Sequence, residues 1–115
     1  MSNQPFVTMI IFQVKPDRVA DFEAKILEIQ AQQKVLPGCR RAEYFKRFYT
    51  FDGVETGLPP REITKIVKCV KYYAWLEFDS TEACGQAKDW LFETHFKEIN
   101  KLLIMPFDMN SGYTL

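Results

Sequence analysis

The sequence predicts an α+β fold: an antiparallel sheet in β-α-β-β-α-β order, with both helices on one face. The segment Phe6-Val7-Thr8-Met9-Ile10-Ile11-Phe12-Gln13-Val14 reads as a strand that is apolar on both sides, so both sides need cover. A helical pattern follows at once and ends at Leu36-Pro37-Gly38-Cys39, before a second run of strand character. A helix covers one side only. The other side is left to a partner subunit or a ligand.

The elements follow in order. Val, Ile, Phe and Thr over residues 6–14 favour a strand, and Pro16 cannot continue a central ladder. Asp17 is placed to cap the first helix, in which Val19, Phe22, Ile26 and Ile29 form one stripe. The helix runs to about Val35, where Pro37 and Gly38 end it. Residues 41–50 read as a second strand, with Ala42, Tyr44, Lys46 and Phe48 on one face and Glu43, Phe45, Arg47 and Tyr49 on the other. Asp52-Gly53 and Gly57-Leu58-Pro59-Pro60 mark a long hairpin loop. The β-branched run Ile63-Thr64-Lys65-Ile66-Val67-Lys68-Cys69-Val70 opens a third strand over 63–78, bulged or bent. Tyr73, Trp75 and Glu77 share one of its faces, and Tyr72, Ala74, Leu76 and Phe78 the other.

Asp79-Ser80-Thr81-Glu82 resembles a capping box, with Asp79 as the cap. Ala83, Ala87, Trp90, Leu91 and Thr94 run along one side of the second helix, and a further turn or short helix carries Phe96, Ile99, Leu102 and Leu103 to Pro106. Residues 107–115 form a final edge strand. This order is the ferredoxin-like split βαβ arrangement. Two sheets meeting face to face, related by two-fold symmetry, would bury the uncovered apolar face.

Composition narrows the function classes. The 115 residues fit one domain, 1–115, large enough for a core without staples. Fifteen basic and fifteen acidic residues balance, so nothing favours nucleic acid or an anionic membrane. The pairs Arg40-Arg41 and Lys46-Arg47 read as a solvated rim. Three cysteines, Cys39, Cys69 and Cys84, form no CxxC spacing and suit reduced thiols in a cytoplasmic protein. Met1-Ser2-Asn3-Gln4-Pro5 lacks the charged start of a signal peptide, and the first strand is too short to span a bilayer. One histidine makes a dedicated metal site unexpected.

The run Gln13-Val14-Lys15-Pro16-Asp17, then Asp21-Phe22, Leu36-Pro37-Gly38-Cys39, Phe78-Asp79-Ser80-Thr81-Glu82-Ala83 and Glu93-Thr94-His95-Phe96, resembles the antibiotic-biosynthesis-monooxygenase-like family. The likeness spans nearly the whole chain and rests on the order and spacing of these segments. It implies a homodimer whose sheets form a dimeric α+β barrel, with a small-molecule pocket between each sheet and its helices. It further implies an oxygenase acting on a small quinol- or polyketide-like aromatic, with no flavin or metal cofactor. Two departures stand out. Relatives often carry Glu-x-Trp before the second helix; here the corresponding run is Leu76-Glu77-Phe78, with the carboxylate one residue later and Trp75 one residue earlier, a single step that turns Glu77 to the face opposite the family's acidic position. The haem-degrading branch has a haem-ligating His where this chain has Asn100, and an Asn in the first strand where it has Thr8-Met9-Ile10-Ile11.

His95 is the candidate general base, since imidazole titrates near neutral pH, with a surface or hydrogen-bonded structural histidine as the alternative. Phe12, Tyr73, Trp75 and Trp90 are the expected substrate-binding walls, with core or interface packing as the alternative for each. Tyr44 and Tyr49 are further candidate donors to a substrate oxygen, with a place on the rim as the alternative. Cys39 has no readable activating base and is expected to be inert. A non-catalytic ligand-binding or interaction domain of the same fold is the competing expectation, followed by haem binding.

Overall fold

The computed structural model describes residues 4–65 and 68–115. Strand β1 spans Phe6–Val14, helix α1 Val19–Gln33, β2 Cys39–Lys46, β3 Tyr49–Thr50, β4 Arg61–Glu62, β5 Val70–Phe78, α2 Thr81–Leu102 and β6 Asp108–Tyr113. The main sheet has four strands in the order β2-β5-β1-β6, all antiparallel to their neighbours. Each helix therefore crosses over one strand to reach its successor, which is the ferredoxin-like connection.

Alternation along the central strands decides what lies where. Ile10, Phe12 and Val14 of β1 and Val70, Tyr72, Ala74, Leu76 and Phe78 of β5 are buried beneath Phe22, Ile26 and Ile29 of α1 and Leu91, Ile99 and Leu102 of α2. Both helices thus cover one side. The C-terminus of α2 is pinned to the end of β1 by Lys15 N–H donating to Leu102 O (2.9 Å) and Ile104 N–H to Gln13 O (2.9 Å). Met9 and Ile11 of β1 and Tyr73 and Trp75 of β5 stand on the opposite side, in the register Met9↔Trp75 and Ile11↔Tyr73. No described element covers that face: Trp75 is 38% exposed and Phe45 61%. The two-sided first strand is accounted for on one side only.

Several local expectations change. Asp17 does not cap α1: it lies in a single 3-10 turn, Pro16–Arg18, and α1 starts at Val19. Ser80, not Asp79, caps α2, its Oγ accepting from Ala83 N–H at 3.1 Å, while Asp79 is drawn into an ion pair with Arg40. The second helical region is one continuous helix, with no break near Thr94. The second strand ends at Lys46, and Tyr49–Thr50 pairs instead with Arg61–Glu62 in a two-stranded ribbon across the long loop. The third strand begins at Val70, not Ile63. Residues 63–65 and 68–69 lie outside any strand, and Ile66 and Val67 lie outside the described residues.

At the turn between α1 and β2, Gly38 has φ +78°, which favours glycine. Its carbonyl accepts from Asp79 N–H at 2.8 Å, so the turn docks on the start of α2.

Candidate functional site

Between sheet and helices lies a narrow crevice, where β1, β6, the end of α1 and the first half of α2 meet. Thr8, Gln33, Cys84, Leu91 and Met109 border it. Thr8 is in β1, whose even-numbered residues face the helices, and pairs in register with Ser111 of β6. Its Oγ1 is hydrogen-bonded to Ser111 Oγ (2.8 Å) and to Cys84 Sγ (3.1 Å). Gln33 closes α1 and is 3% exposed; its Oε1 accepts from Tyr44 O–H at 2.5 Å. Burial raises the Tyr44 pKa, so the phenol stays protonated and donating. The crevice volume is about 10 Å³. That is room for one water molecule and not for an aromatic ring.

His95 stands one helical turn beyond the crevice. Cys84, Lys88, Leu91 and His95 follow one another at spacings of four, three and four on α2, so they lie along one stripe. His95 is 5% exposed. Its Nε2–H donates to Gln32 Oε1 at 2.7 Å, which leaves Nδ1 as the lone-pair nitrogen. Among the described residues, Nδ1 is the one buried side-chain nitrogen or oxygen with no hydrogen-bond partner. The Trp90 ring meets the imidazole edge-on, 5.2 Å between centroids. Adjacent residues of α1 therefore serve both features: Gln32 holds the imidazole and Gln33 borders the crevice.

Desolvation lowers the His95 pKa, and the Lys25 ammonium adds to the shift; Glu28 and Glu98 oppose it. Above the ordinary histidine value of about 6.5 the ring is neutral folded and unfolded. As pH falls below that value the unfolded chain takes up the proton first, so stability drops until the folded pKa is passed. Glu98, with its pKa lowered by Lys25, acts in a separate and more acidic window. Urea unfolding between about pH 7 and pH 5 should show stability falling with acid in the wild type. The slope should be visibly flatter in His95→Gln.

The expected site residues divide between the two sides of the sheet. His95 and Trp90 are together on α2. Phe12 lies on the same side of the sheet but is fully buried, sealed among Phe22 and Phe107 (5.3 Å each) and Tyr44 (6.3 Å). Tyr73 and Trp75 stand on the open face, where Tyr73 packs on Phe45 (5.0 Å) and Trp75 Nε1–H donates to Glu77 Oε2 (2.8 Å). The two sets cannot line one cavity within a protomer. Tyr49 is exposed in the loop ribbon, and Asn100 is exposed near the end of α2. Thr8, Gln33, Cys84 and Ser111 carry no sequence signal as a group, because they come from four elements and meet only through the β1–β6 register and helix packing.

Among the described residues no group of three or more His, Cys, Asp or Glu is placed to hold a metal ion. None of the described helices is long and apolar enough to cross a membrane.

No protein-family model and no curated protein matches the sequence. Solved structures do match. Rv0793 from Mycobacterium tuberculosis superposes with TM-score 0.71 at 14% identity, over 96% of this chain and 95% of that one. SnoaB, a cofactor-independent oxygenase from Streptomyces nogalater, gives 0.67 at 17% identity, over 98% and 94%. An anthrone oxidase-like protein gives 0.67 at 14% identity, over 98% of this chain and 45% of that one. The chain has the fold of the antibiotic-biosynthesis-monooxygenase-like proteins. At these identities the likeness is one of fold.

Proposed function

We propose that the chain is an oxidoreductase in which dioxygen reacts directly with a small quinol- or anthrone-like aromatic, held in the helix–sheet crevice without flavin or metal. The observation that carries this reading is His95: a buried, neutral imidazole whose Nε2–H is engaged and whose Nδ1 lone pair is free. That is the state a general base needs. In the proposed reaction Nδ1 takes a proton from the activated C–H or O–H of the substrate. The resulting anion gives an electron to dioxygen, a carbon–oxygen bond forms, and water leaves. For an anthrone the atoms balance as follows. The ring methylene loses both hydrogens and becomes a carbonyl, whose oxygen comes from dioxygen. The other oxygen atom of the same dioxygen leaves as water with those hydrogens. Trp90 would wall the base, and Thr8, on the crevice wall, would turn its hydroxyl to the developing oxyanion. Admission of the ring requires α2 and the flexible side chain of Met109 to move away from the sheet. The names of SnoaB and the anthrone oxidase-like protein support this choice of chemistry.

The uncovered sheet face supports a homodimer, with two copies joined through Ile11, Tyr73, Trp75 and Phe45 into an α+β barrel. Tyr73 and Trp75 would then be interface residues rather than substrate walls. Free cysteines at positions 39, 69 and 84 fit a reducing, cytoplasmic setting.

One observation favours a second reading. The crevice volume of about 10 Å³ suits a non-catalytic interaction domain. Oxygen-electrode assays on a panel of anthrones and quinols separate the two. The oxidoreductase reading expects uptake of one dioxygen per product, on at least one panel member and above the rate without protein. Uptake on none of them supports the non-catalytic reading.

A further inference from the structure

A second concavity lies at the far end of β1 from Thr8, where the ends of β1, β2 and β5 meet the long loop. Its volume is about 440 Å³, in the range of small-molecule sites. Lys46, Arg47, Lys65, Lys68 and Lys71 line it, and no acidic residue among the described ones does. The chain as a whole is electrically balanced, so this clustering does not follow from general basicity. Among the described residues, one of these five cations has a carboxylate nearby, Lys46 with Glu23 at 3.6 Å. The concentrated positive field favours an anionic occupant.

The walls are held by the backbone. Arg47 N–H donates to Lys71 O, and Ile63 N–H donates to Phe48 O, both at 2.8 Å. Cys69 Sγ donates to Gln13 Oε1 at 3.6 Å. Phe48, Ile63 and Val70 supply apolar surface, and Lys46 Nζ sits 5.1 Å over the Phe48 ring. Charge around an apolar wall distinguishes this cleft from a plain basic rim.

We propose that the cleft binds a small organic polyanion, two or more carboxylate or phosphate groups lying among the lysines and an apolar body against Phe48, Ile63 and Val70. Calorimetry on the full chain with naphthalene-2,6-dicarboxylate, its neutral dimethanol analogue, inorganic pyrophosphate and an oligothymidylate tests this. The dicarboxylate should bind at one site per chain and weaken as salt is added, and the dimethanol should not bind. Lys65→Glu with Lys68→Glu should weaken the dicarboxylate on the order of tenfold, since two exposed attractive charges become repulsive. Both positions are exposed, so the variant keeps the fold, which circular dichroism verifies. Phe48→Ala should weaken the dicarboxylate and leave pyrophosphate unchanged. Equal binding of the dimethanol, or an unchanged affinity in the double variant, overturns the proposal. So does tighter binding of the oligothymidylate through the same lysines, which would mark a nucleic-acid surface instead.

Discussion

Gly38→Ala is expected to destabilise the fold by about 2–5 kcal/mol. Two separate costs add. A side chain at φ +78° pays the left-handed penalty of about 1–2 kcal/mol. The new methyl would also stand 2.5 Å from Ala83 Cβ, on the first turn of α2, where no flexible side-chain end can give way. Relief requires moving α2 from the turn, which strains the hydrogen bond from Asp79 N–H to Gly38 O. Urea midpoints check the size of the loss. Adding Ala83→Gly to Gly38→Ala should recover the clash and leave the backbone cost. Ala83→Gly alone costs about 1 kcal/mol as a helical glycine, so the comparison is a double-mutant cycle, and a coupling energy of zero would mean that the contact with α2 contributes nothing.

Ile11→Lys is expected to turn the proposed homodimer into a folded monomer. Ile11 lies opposite Tyr73 on the face that no described element covers. In the free protomer a lysine there reaches water, so folding should be nearly unaffected. Buried at the centre of a sheet-to-sheet interface, the unpaired ammonium costs several kcal/mol. Light scattering should report twice the 13.5 kDa chain mass for the wild type and the single-chain mass for the variant. A wild-type monomer at micromolar concentration would contradict the barrel.

Much of the fold is legible in the sequence because its signals are local or strictly periodic. Alternation alone separates Tyr72 and Leu76 from Tyr73 and Trp75, and the stripe from Val19 to Ile29 places α1. The third strand reads too long because β-branched propensity continues back to Ile63, whereas its partners stop. Val70 pairs with Val14, the last residue of β1, and beyond it the ladder has no neighbour on that side. Asp79 and Ser80 are both good caps, and the choice between them turns on Arg40, thirty-nine positions away in sequence. The crevice is the least legible part. Thr8 meets Cys84 and Ser111 across 76 and 103 positions, and His95 meets Gln32 across 63, so only the assembled fold brings them together.

The direct test of the central claim is the pH profile of kcat/KM for oxygen uptake, compared between the wild type and His95→Gln. Loss of the base should cost about 10²–10⁴-fold in rate. The wild-type profile should fall with acid along a limb below about pH 6.5, because burial lowers the His95 pKa. The variant should lack that limb. An equal rate with the same acid limb in His95→Gln would contradict the assignment of His95 as the base.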